Sequence, residues 1–178
     1  MLKSNYLSVI LLSLLAITFF ACQQKEQPKP QSQPPVGQVQ SQTDPRILQD
    51  IVKKDPNNLK AWIELGNIQM DASHFSEAID AYQKALSLDP NNIDVRVDMG
   101  TCYRNIGKPD IAIKEFRKAV EINPNHAMAH RNMGVVLAND VRDSAQAVKE
   151  FEKYLQLVPN APDTDTIRQE IQRLKASK

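Results

Sequence analysis

Only two cysteines occur in 178 residues. Cys22 follows an apolar run and Cys102 sits inside a helical pattern, so the chain has no disulfide framework. Charge of one sign is lacking too: 22 basic residues face 21 acidic ones, and Lys3 is the only charged side chain before Cys22. A nucleic-acid binder carries a basic stripe because phosphate neutralisation supplies most of its affinity. None is present, and no nucleic-acid partner is expected. Glycine is scarce, five in all, and forms no phosphate-cradling loop. No nucleophile arrangement or paired-carboxylate motif accompanies it, so no catalytic residue and no cofactor is assigned. The longest apolar run, Leu7 to Phe20, is short of the roughly 20 residues of a permanent membrane helix.

What is present falls into three parts. Residues 1–21 have a positive start at Lys3, an uncharged apolar stretch and a small residue, Ala21, before Cys22. That is the layout of an export signal. The placing of Cys22 resembles the lipobox of bacterial lipoproteins, in which the cysteine is acylated after cleavage, although Phe19 and Phe20 are bulkier than that pattern. The resemblance implies lipid attachment at Cys22 and a membrane anchor; Gln23 after it implies the periplasmic face of the outer membrane where the cell has one. Residues 22–45, rich in Gln and Pro, have almost nothing to bury against the entropy of ordering and read as a linker. Apolar and charged residues mix only from Arg46, so residues 46–178 form the working domain.

That domain repeats. Pro56, Pro90, Pro124 and Pro159 recur at a step of 34 or 35 residues, the range of helical solenoids. Gly66, Gly100 and Gly134 keep the step, as do Ala78, Ala112 and Ala147, and Tyr82, Phe116 and Phe151. Glycine inside a helix costs about 1 kcal/mol relative to alanine, so its return implies close helix approach, with the three alanines as small partners. The third copy departs from the others by one inserted residue between Gly134 and Ala147, and by Tyr154 where Ala85 and Ala119 stand, which predicts looser packing there. Helices are expected over 46–54, 59–71, 75–88, 93–105, 109–121, 127–139, 144–156 and 163–175, with no strand.

These residues resemble the tetratricopeptide repeat, or TPR. The first copy shows Trp62, Leu65-Gly66, Ala78, Tyr82, Ala85 and Pro90, and the others follow in register. The resemblance implies an all-α, right-handed solenoid of three helix pairs (59–92, 93–126, 127–161), preceded by a short helix and closed by a capping helix at 163–175. It further implies a concave groove that takes a peptide or helix of a protein partner. The lining residues are Ile63, Val97 and Arg131; Asn67, Thr101 and Val135; Met70, Arg104 and Ala138; Asp71, Asn105 and Asn139. The clamp by which some such repeats hold acidic tails of cytosolic chaperones, built from two lysines, two asparagines and an arginine, corresponds here to Ile63, Asn67, Asp98, Met128 and Asn132. Only one place matches, which excludes that use.

His126 and His130 have the spacing of a two-point metal site but lack a third ligand in sequence. Cys102, Met99 and Met133 fall at interior positions of the repeat and read as core. His74 reads as a solvated turn residue. The expected function is a scaffold or adaptor at the cell envelope; family resemblance extends it to lipoproteins serving outer-membrane barrel assembly, pilus secretin assembly or cytochrome c maturation. The competing reading is an exported metal carrier or enzyme on the same helices.

Overall fold

The computed structural model describes residues 44–177. Cys22, the export signal and the linker up to residue 43 lie outside the described residues. The chain runs α1 (Pro45–Lys54), α2 (Leu59–Asp71), α3 (Phe75–Leu88), α4 (Ile93–Asn105), α5 (Pro109–Ile122), α6 (Ala127–Val136), a π turn (Leu137–Val141), α7 (Ser144–Leu157) and α8 (Thr164–Ala176). No strand occurs among the described residues. The first helix begins one residue before the expected start, because Asp44 caps it and Pro45 occupies its first turn, where a missing N–H costs nothing.

Local chemistry sets the other boundaries. Asn58 and Asn92 accept the N–H groups of Ala61 and Val95 at 3.0 and 3.2 Å, satisfying donors the helix leaves open. His126 does the same through Nδ1, and Asp143 through Oδ1. At the far ends of α2 and α4, Ser73 and Gly107 take left-handed φ of 61° and 73°. The N–H groups of His74 and Lys108 then reach back to the carbonyls of Gln69 and Tyr103, closing the helices in Schellman fashion.

The third copy ends its first helix differently from the expected unbroken 127–139. The inserted residue is absorbed by the π turn, after which Arg142 takes the left-handed role at φ 63°. Asp143 N–H reaches Leu137 O, six residues back, where the first two copies reach five. A π turn holds one extra residue without breaking the helical hydrogen bonds, so Phe151 still meets Gly134 in register.

Each helix packs on the next from α1 to α8, and α4 and α6, first helices of consecutive pairs, also touch directly. The core is the repeated small and aromatic set: Ala78, Tyr82, Ala85, Ala112, Phe116, Ala119 and Ala147 are fully buried. The atoms nearest each glycine belong to an aromatic ring of the facing helix, where the sequence pointed to the alanine. A Cβ on Gly100 would stand 2.7 Å from Phe116 Cε1 and one on Gly134 2.7 Å from Phe151 Cδ1, with Tyr82 in the same place over Gly66. Tyr154 does not loosen the third pair either. It is 4% exposed, and its hydroxyl donates to Asp163 at 2.6 Å, just ahead of α8. Ile167, Ile171 and Leu174 of α8 join the same core.

Candidate functional site

One position links all three copies. Trp62 Nε1 donates to Pro56 O at 2.8 Å, Arg96 Nη2 to Pro90 O at 2.6 Å, and His130 Nε2 to Pro124 O at 3.0 Å. Each side chain pins the proline corner that precedes its own helix. Facing them from the second helices are Ala81, Glu115 and Glu150. Trp62 packs on the cluster that contains Ala81, Arg96 pairs with Glu115 at 2.7 Å, and His130 Nδ1 meets Glu150 at 2.6 Å. His130 is thus buried as a packing position requires, with both ring nitrogens engaged. His126 spends Nδ1 on Ala129 N and Nε2 on Asp94. No group of three metal-ligating side chains occurs among the described residues.

Cys102, Met99 and Met133 lie in the core; burial, followed by the Asp98 charge, pushes the Cys102 thiol up to about 12. His74 is exposed, but its Nδ1 meets Gln69 Oε1 at 2.9 Å.

The rows named from sequence occupy the first helices, except Ala138 and Asn139, which the π turn carries, and they are in several states. Asn67, Asn105 and Asn139 are exposed; Ile63, Met70, Thr101 and Val135 are half-buried; Val97 and Ala138 are buried at 5% and 8%. Asn67 Oδ1 accepts the Tyr82 hydroxyl at 2.8 Å, Thr101 accepts Asn132 Nδ2 at 3.3 Å, and Asn105 Nδ2 donates to Thr101 O at 2.9 Å. The two arginines are bound to carboxylates outside their own helices. Arg104 Nε donates to Asp140 in the π turn and Arg131 Nε to Asp163 ahead of α8, each at 2.6 Å. Arg131 and Tyr154 together hold Asp163, and these hydrogen bonds, the tyrosine's first, keep its carboxyl below the ordinary carboxylate range.

Sequence reasoning left two rows out of the lining set. Asp94, Asp98, His126, Met128 and Asn132 enclose a hollow of about 310 Å³ whose floor is Val97. Met128 is 46% exposed there. Burial, then the like charges of Asp94 and Asp71, push the Asp98 carboxyl up to about 6, with His126 acting the other way. The signal was available for four of them: Asp98 and Asn132 stand one position after, and Asp94 and Met128 three before, the Ile63, Val97 and Arg131 row. A second hollow, of about 430 Å³, lies on the second-helix side between Val120, Pro124, His130 and Lys149.

A model of the cytochrome c-type biogenesis protein H TPR domain matches residues 48–166. No curated protein matches the sequence. Among solved structures, MamA is 23% identical with a TM-score of 0.69, over 75% of this chain and 75% of that one. The first TPR of Spaghetti (RPAP3), solved bound to the HSP90 peptide SRMEEVD, is 24% identical with a TM-score of 0.62, over 69% of this chain and 94% of that one. The Yersinia enterocolitica type III secretion chaperone SycD, in complex with a peptide of the translocator YopD, is 16% identical with a TM-score of 0.62, over 67% and 93%. At these identities the likeness is one of fold.

Proposed function

Because the chain belongs to the family of the cytochrome c-type biogenesis protein H TPR domain, we propose that it is a scaffold or adaptor that holds a peptide or helix of a partner protein against its first helices. The observation that carries this reading is the hollow bounded by Asp94, Asp98, Met128 and Asn132, open to solvent on the face where α4 and α6 meet. Amides at Asn67, Asn105 and Asn139 are exposed and can satisfy an extended backbone. Two structural relatives were solved with peptides bound, which supports peptide binding by this fold. Of the processes consistent with the fold, the family favours cytochrome c biogenesis, and the partner is proposed to be a component of it. The role is one of binding, without catalysis or metal transport.

Place is the second element of the proposal. Cys22, directly after the apolar run and ahead of a polar linker, would carry lipid and tether the repeats to an envelope membrane, on the periplasmic face of the outer membrane where there is one. Two or more acyl chains are needed for stable anchoring, since one gives only marginal binding.

A photo-crosslinking amino acid at Met128, with Lys149 on the second-helix side as control, tests the groove in living cells. Crosslinks from Met128 to a protein required for c-type cytochrome assembly are expected; adducts from Lys149 alone would remove the groove reading. For the tether, Cys22→Ser should abolish fatty-acid labelling and release the protein into the soluble exported fraction. An unlabelled parent, already soluble, would refute the anchor and leave the groove untouched.

A further inference from the structure

We infer that the groove takes a cationic segment: a stretch of the partner protein with lysine or arginine side chains over Asp71, Asp94 and Asp98 and an apolar side chain in the hollow beside Met128. This rests on the groove reading above and adds the chemistry of the occupant.

The first argument is a census of charge on the three first helices. Their basic side chains are Lys60, Arg96, Arg104 and Arg131. Arg96 is turned to Glu115 and the Pro90 carbonyl, Arg104 is held by Asp140 and Arg131 by Asp163. Lys60 stands on the first turn of α2, a repeat away from the corresponding Asp94. The acids are placed otherwise. The Asp94 side chain is 87% exposed and, among the described residues, meets the His126 ring at 3.0 Å. Asp98 is half-buried at the wall of the hollow, and Asp94 and Asp71 act on its carboxyl as like charges. The groove therefore keeps its negative charge facing solvent while its arginines are neutralised by carboxylates of the chain itself. An acidic segment would be repelled here, and a cationic one would relieve the repulsion among the three carboxylates.

The second argument is apolar. Met128 stands 46% exposed beside a hollow whose floor is Val97. A hollow of about 310 Å³ accepts a side chain of the size of leucine or phenylalanine, and a flexible thioether adapts to either. Asn132 lines it with an amide group suited to the backbone of the segment. Charge sets the encounter and the apolar contact slows release.

The test uses the full chain in mild detergent and a display library of random nine-residue peptides. The selected pool should be enriched in lysine and arginine with one large apolar residue. The best peptide should lose about tenfold in affinity to the triple variant Asp71→Asn, Asp94→Asn, Asp98→Asn, and should weaken steadily with added salt on the unaltered chain. Peptides that are neutral or acidic, blocked by Asn132→Trp yet indifferent to the triple variant and to salt, would overturn the cationic assignment and leave the groove in place. Peptides still bound by Asn132→Trp together with Thr101→Trp, or no selected peptide at all, would overturn both. The asparagine variants keep the side-chain shape, and circular dichroism on each confirms the fold.

Discussion

A Cβ on Gly100 meets the Phe116 ring at 2.7 Å, so Gly100→Ala should destabilise the chain by about 1–3 kcal/mol, against about 1 kcal/mol gained in helix propensity. Urea unfolding measures it, and Phe116→Leu should recover part of the loss if the ring is the obstacle. Arg96 and Glu115 offer a sharper test, since the first copy fills the same places with Trp62 and Ala81. Glu115 is 7% exposed, so Arg96→Ala strands a buried carboxylate with Lys118 as its remaining partner at 3.0 Å and should cost about 3 kcal/mol. Arg96→Trp combined with Glu115→Ala imports the first copy's solution and should cost less than Arg96→Ala alone. Asp98 makes stability depend on pH. Its folded carboxyl titrates at about 6, above the ordinary 3.8, so between these values the folded chain keeps a proton that the unfolded chain has released. Stability falls as pH rises through that window. Asp98→Asn should therefore raise the melting temperature by a few degrees near pH 7 and leave it unchanged below about pH 4.

Among the elements, the π turn gives the clearest forecast. Deleting Asn139 shortens Leu137–Val141 to the spacing of the first two copies, and the protein should still melt in one cooperative transition. Deleting Asn67 from unbroken α2 would rotate the rest of that helix by about 100° and should abolish the fold. This contrast also marks how far the sequence could be read. Proline and glycine steps with Asn and Asp starts place the helix ends within a residue or two, except that of α6, because these are backbone signals repeated in register. The inserted residue between Gly134 and Ala147 was visible, but a π turn and a longer loop have the same length in sequence. The arginines show the same limit. Their register put Arg104 and Arg131 in the groove; their partners Asp140 and Asp163 lie in turns, at separations of 36 and 32 residues, which the repeat step does not generate. Asp94, Asp98 and Met128 were on that register and needed only the adjoining rows.

Across the whole molecule the two ends are built unequally. At the C-terminal side, Asp163 ties Tyr154 and Arg131 together and α8 covers the last pair. Asp163→Ala should lower the melting temperature, and truncation after Pro162 should expose the surface that Ile167, Ile171 and Leu174 cover and promote aggregation, visible by light scattering. Stability in such a stack is a sum of local and nearest-neighbour contributions, so the ends can loosen first. The donors that pin the three proline corners differ in kind: an indole in the first copy, a guanidinium in the second, an imidazole in the third. Trp62 is the sole tryptophan in the chain, and His130 is the one imidazole among the three donors. The fold thus comes with built-in probes at known addresses: tryptophan emission reports on the first repeat alone, and the imidazole resonances of His130 on the third. Followed together along one denaturation curve, they would show directly whether the stack opens as a unit or peels from one side.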